Sequence, residues 1–208
     1  MIATDAVFLL TAAVIYALTA GFILEHARKR KLSVLYTFSV YFISLSLYFI
    51  LSGANIYVDN PLVLIASLVV LTFAAATLTH FPFQLELPKA SKIIRIAVFT
   101  IALGAIIYSL VALTLPIARN ISLIYAAAAP ILVSIYMITA GMHTPNIRGK
   151  SISLGILALF SSLPFVGMLF FSGLTIPVFG IVAGISLVFA LISTVSLVFA
   201  LYVNKYIQ

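Results

Sequence analysis

The chain has 208 residues, 64% of them hydrophobic and 7% charged, with a mean hydropathy of +1.31. Soluble domains carry about 25% charged residues, so this composition excludes a water-soluble fold and makes the bilayer the solvent. The net charge of +7 is no nucleic-acid signature, because the basic residues collect at the ends of apolar segments, and the absence of cysteine excludes disulfides, thiolate metal sites and a cysteine nucleophile.

A spanning helix needs about 20 mostly apolar residues. Seven segments qualify, and each lacks Asp, Glu and Lys in its middle. Span one, 4–24, carries Asp5 before its apolar run and leads into the basic cluster Arg28, Lys29, Arg30 and Lys31. With no basic leader before it and a stop cluster after it, it is not expected to be a cleaved signal peptide. Spans two and three are 32–53 and 62–80. Span four, 93–115, has only Arg95 near its start, from which a guanidinium can snorkel to the headgroups. Span five, 121–142, contains the run Ala126 to Ala129 followed by Pro130. Span six, 152–172, contains Pro164; both prolines remove a helix hydrogen bond and are expected to kink their spans. Span seven, 177–203, carries the pair Gly180 and Gly184, a G-x-x-x-G spacing that lets a neighbouring backbone approach closely. Only helices satisfy the backbone economically in lipid, so the expected fold is an all-α, seven-helix transmembrane bundle.

The basic residues orient it. Arg28 to Lys31, then Lys89, Lys92 and Arg95, then Arg148 and Lys150, and finally Lys205 fall in alternate connections, and Arg119 alone lies on the other side with Asp5 and Asp59. The positive-inside rule places the N-terminus outside and the C-terminus in the cytoplasm, in a multi-pass protein of the cell membrane.

The chain also repeats itself. Residues 15–21 read Ile-Tyr-Ala-Leu-Thr-Ala-Gly and residues 135–141 read Ile-Tyr-Met-Ile-Thr-Ala-Gly. The same offset of 120 pairs Arg28 with Arg148, Arg30 with Lys150, Ser33 with Ser153, and Ser52-Gly53 with Ser172-Gly173. Spans one and five cross in the same direction, so the repeat predicts two parallel triplets, residues 1–80 and 121–208, joined by a loop and linker helix within 81–120. Sites in parallel-repeat proteins tend to form at the repeat interface. Tyr16 and Tyr136, with Thr19 and Thr139, are therefore the candidates for lining a small polar pocket. Gly21 and Gly141, with Gly180 and Gly184, are the expected helix-packing positions.

Other chemistry is sparse. No ionisable residue lies at mid-depth, which weighs against a proton pump, an ion-coupled carrier or a voltage sensor. His26, His80 and His143 end spans one, three and five on the same side, the one arrangement that points to a metal or haem, although interfacial placement accounts for it better, since no H-x-x-x-H or H-x-x-E spacing ties any two together. No G-x-S-x-G or H-E-x-x-H occurs, and Asp5 and Asp59 are both at the outer surface, so no catalytic activity is expected. With only Gln84 and Gln208 as glutamines and no cysteine, the composition agrees with a thermophile, and a prokaryotic, archaeal source is the expectation.

Seven spans, an outside N-terminus and a 3+1+3 repeat resemble the transporter–opsin–receptor grouping, which includes the SWEET sugar transporters and microbial rhodopsins. The resemblance is one of topology. The retinal lysine of a rhodopsin is missing from span seven, Lys205 being at its end, so no retinal is expected. SWEET-like prolines occur in both repeats, whereas here Pro130 and Pro164 both fall in the second. The stretch from His26 to Gly53, a basic cluster and then a Leu/Tyr/Phe-rich span, is similar to seven-helix sensory modules of some archaeal histidine kinases. These features imply a non-catalytic membrane protein acting by helix contact, as an accessory subunit of a larger membrane complex, such as a respiratory one, or as a receptor-like module. Its expected partners are the lipid bilayer and other membrane subunits, with no nucleic acid. A facilitative carrier of a small uncharged solute is the first alternative, and a haem- or metal-binding subunit the second.

Overall fold

The computed structural model describes residues 2–30, 33–79, 115–145 and 148–171, with isolated helical residues in 96–107 and 188–195. Five helices are described: α1 (Ile2–Arg30), α2 (Ser33–Val58), α3 (Pro61–Thr79), α4 (Leu115–His143) and α5 (Arg148–Phe171). Each is long and apolar enough to cross a membrane. Expected spans four and seven, with Gly180 and Gly184, lie largely outside the described residues; Ile96, Thr100, Leu103, Gly104 and Ile107, and Val188, Leu191, Ile192 and Val195, are helical.

Several breaks expected from charge turn out to be helix. The α1 helix continues through the basic cluster to Arg30, where Glu25 and Lys29 form an exposed i,i+4 ion pair. Residues Pro116 to Asn120, expected as a connection, form the first turns of α4, with Pro116 near the start where its missing N–H costs nothing. Charge marks where a helix leaves the hydrocarbon, and it does not oblige the backbone to unwind. Pro130 and Pro164 both sit inside continuous helices.

The α2–α3 connection contracts to Asp59 and Asn60. Asp59 takes a φ of 44°, the left-handed conformation that ends a helix, and its N–H donates to Asn55 O at 2.9 Å. Asn60 then caps α3: its Oδ1 accepts from Leu62 N at 2.9 Å, and Pro61 fills the first helical position.

α2 is the central helix. It packs on α1, on α3 and, through aromatic and hydroxyl contacts, on α5, leaving only a stripe of Tyr36, Val40, Ile43, Leu47 and Ile50 exposed along its middle. The hydroxyls turn inward. Ser39 donates to Ala20 O at 2.9 Å and Ser46 to Ala13 O at 2.8 Å, stitching α2 to α1. α4 and α5 form a second hairpin, in which Ser151 donates to Met137 O at 2.6 Å. α3 joins the hairpins: Thr72 donates to Ser122 Oγ at 3.2 Å, and Tyr125 meets Thr79 at the same distance. Both numbers rise together along the two helices, so α3 and α4 are parallel.

Candidate functional site

Three helices meet around α2's aromatic face. Tyr16 of α1 stacks on both Phe42 and Phe49, with ring centroids 5.6 Å away in each case. Tyr41 touches the Phe42 ring edge-on at 5.1 Å, and Phe165 of α5 lies 6.4 Å from Phe49 and 5.9 Å from Tyr48. Stacked and edge-on pairs of this kind favour one arrangement among apolar side chains that would otherwise pack in several ways.

Between α2 and α5 the hydroxyls pair in a specific register. Tyr41 OH is 3.0 Å from Ser161 Oγ, and Tyr48 OH donates to Met168 Sδ at 3.7 Å. Both pairs join residues 120 apart, the offset of the sequence repeat. Burial agrees: Phe38, Tyr41, Phe42 and Leu45 are buried, and so are Ala158, Ser161, Ser162 and Phe165 at the same offset.

The first helices of the two hairpins do not follow this register. Tyr16 and Thr19 are buried, but Tyr136 is only half-buried and Thr139 is exposed, its hydroxyl bonded to Ile135 O. Gly21 is exposed, with nothing among the described residues within 4 Å of a β-carbon placed there. Gly141 is buried, and the same β-carbon would lie 3.0 Å from Ile152 and 3.1 Å from Ser151 and from Arg148 O. Carrying the Ala20–Ser39 contact forward by 120 would set Ala140 beside Leu159, yet the turn containing Gly141 packs beside Ser151 and Ile152. The displacement is about two helical turns. Its cause is Pro145, which stands where the first copy has Glu25. Proline disfavours helix in the residue before it and ends α4 at His143, whereas α1 runs on to Arg30. The two Ile-Tyr-x-x-Thr-Ala-Gly copies therefore face different surroundings, and no described hydrogen bond or ring contact brings Tyr16 and Tyr136 together.

The sequence did not single out Gly155, although its contacts are the tightest. A β-carbon there would lie 2.8 Å from Ile138 Cγ1 and 3.0 Å from Ser134 O. Nor did it single out the α2–α5 pairs, although the offset of 120 could have located them. Of the histidines, His26 is half-buried, with Nδ1 3.0 Å from Phe22 O; His143 is exposed, and His80 lies outside the described residues. Among the described residues no three His, Asp or Glu side chains gather at a metal-binding distance. The buried polar residues there are Ser, Thr and Tyr, and one hydroxyl, that of Tyr16, has no hydrogen-bond partner.

No protein-family model matches the chain, and neither does any curated protein or solved structure compared with it.

Proposed function

We propose that this is a multi-pass membrane protein without catalytic machinery, which works by helix contact as an accessory subunit of a larger membrane complex or as a receptor-like module. The observation that carries the reading is the way its polar side chains are used. Hydroxyls of α2, α3, α4 and α5 are directed at one another across helix seams, while charges stay at helix ends and the outward stripes are apolar. Such a surface associates by packing and interhelical hydrogen bonds, because lipid offers no hydrophobic drive between helices. Mild solubilisation of native membranes is expected to bring down the chain with other membrane subunits, and the isolated chain to be less stable. Recovery as a self-sufficient species of unchanged stability would overturn the subunit reading. The second reading is a facilitative carrier of a small uncharged solute, favoured by the unpartnered Tyr16 hydroxyl beside the α2–α5 seam.

The architecture that goes with this proposal has seven spans in a 3+1+3 arrangement, with the basic ends in the cytoplasm. Two features support it. α3 and α4 are parallel, so the chain between them has to return across the layer, and 93–115 is apolar enough to do so. α2 and α5 are parallel and pair at the repeat offset, which agrees with an axis along the membrane normal. The absence of native cysteine makes the topology directly measurable. A single cysteine replacing Asp59 should react with a membrane-impermeant maleimide from outside intact cells, and one replacing Arg28 only after permeabilisation. The opposite pattern would reverse the orientation.

A further inference from the structure

The packing registers gather positive charge at one end of the bundle. Ser39–Ala20 and Ser46–Ala13 make α1 and α2 antiparallel, while Tyr41–Ser161 and Tyr48–Met168 make α2 and α5 parallel. The last turn of α1 therefore lies at the same end as the first turn of α5. That end carries Arg28, Lys29 and Arg30 from one hairpin and Arg148 and Lys150 from the other. Among the described residues Glu25 is the only acid there, and its ion pair is with Lys29, so Arg28 and Arg148, both exposed, have no carboxylate partner. At the opposite end one cation, Arg119, stands with Asp59.

Arg28 also stands where lipid meets the helix. Val14, Leu18, Gly21, Glu25 and Arg28 follow one another at helical spacing and are all exposed, so they form one outward stripe along α1. No described side chain comes within 4 Å of a β-carbon built at Gly21. From Leu18 to Arg28 the axial rise is about 15 Å, half of a hydrocarbon layer of about 30 Å. An acyl chain laid on Val14 and Leu18 thus ends in a headgroup at the level of Arg28.

We infer that this stripe is a binding surface for an anionic phospholipid, with Arg28 pairing the headgroup phosphate and Val14, Leu18 and Gly21 carrying the chain. A guanidinium suits a phosphate because it can donate two parallel hydrogen bonds to it. Selection of an anionic lipid over a zwitterionic one follows from net charge: each cation near an anionic surface is worth about five-fold in binding. Arg148 adds to the field at the same end from α5. The inference rests on the multi-pass reading, which the maleimide accessibility of the Asp59 and Arg28 replacements tests by itself. Failure of the lipid preference therefore leaves the topology standing.

The test uses the full chain in phosphatidylcholine vesicles. A fluorophore on Gly21→Cys reports the stripe, and one on Tyr57→Cys reports the opposite end; the chain has no native cysteine to compete. Each is quenched with spin-labelled phosphatidylglycerol or with phosphatidylcholine labelled at the same chain carbon. At Gly21 phosphatidylglycerol should quench about five-fold more effectively per mole fraction, and at Tyr57 the two lipids should quench alike. Arg28→Gln should bring the preference at Gly21 below about two-fold. Glu25→Gln, which removes the one acid on the stripe, should raise it. Sodium chloride at 0.5 M, with a screening length of about 4 Å, should weaken it. Three results would each overturn the proposal: equal quenching by the two lipids at Gly21, a preference unchanged in Arg28→Gln, or its loss to millimolar glycerol phosphate, which would make this a site for soluble phosphates.

Discussion

Replacing Gly155 by leucine is expected to take the α4–α5 hairpin apart. A first side-chain carbon at this position meets Ile138 at 2.8 Å, Ser134 O at 3.0 Å and Met137 Cβ at 3.2 Å. One of these is a backbone oxygen and another is fixed to its own helix, so the neighbours cannot swing aside as a long side chain would. α4 and α5 have to separate, and separation also strains the Ser151–Met137 O hydrogen bond and the packing of Gly141. Alanine should cost about 1–3 kcal/mol by overpacking, and leucine more than that. The measurement is the midpoint of unfolding in sodium dodecyl sulfate for the purified chain. Gly21→Leu is the matched control, because nothing described lies near its β-carbon, and it should move the midpoint by no more than about 0.5 kcal/mol. Equal effects at the two glycines would show that close approach is not what Gly155 provides.

Truncating Phe165 to alanine should be the most damaging side-chain deletion at the α2–α5 seam. The ring is fully buried and packs against Tyr48 and Phe49. In water such a loss combines a transfer term and a cavity term, together about 3–5 kcal/mol. In a bilayer the transfer term nearly vanishes, because lipid chains are as apolar as the protein interior. The dispersion and ring-pairing terms remain, and a cost of roughly 2–3 kcal/mol is expected. Ile43→Ala isolates the difference: Ile43 is half exposed on the outward stripe of α2, where lipid can replace the lost contacts. Its unfolding midpoint should stay within about 0.5 kcal/mol of wild type. A comparable loss at Ile43 would mean that this stripe faces protein instead of lipid.

The two predictions share a cause that also limits how the chain can be read. Hydropathy located α1, α2, α3, α4 and α5, each to within a few residues of its apolar stretch, because every backbone group in hydrocarbon must be bonded within its own helix. It could not say which side of a helix turns inward. Leu, Val and Ile are common at exposed positions as well as buried ones, and the buried set also includes Ser39, Ser46, Ser161 and Thr72, so hydropathy does not separate the two faces. Small and hydroxyl residues were a partial signal for the interior. They marked Tyr16, Thr19 and Gly141 as buried, but marked Thr139 and Gly21 in the same way, and these are exposed.

By itself, then, the amino-acid sequence located five apolar helices long enough to cross a membrane, placed no charge in their middles, and set matching residues 120 apart. The tertiary structure alone decided which residues at that offset share an environment. α2 and α5 meet their equivalents directly, at Tyr41–Ser161 and Tyr48–Met168, whereas Pro145 ends α4 early and slides it about two turns along its partner. Sequence similarity records residue types in order, but a helix that ends at a different place sets each of its residues against a different stretch of its partner. That geometry left Tyr16 enclosed with an unspent proton, and set the same motif's Tyr136 half-buried elsewhere.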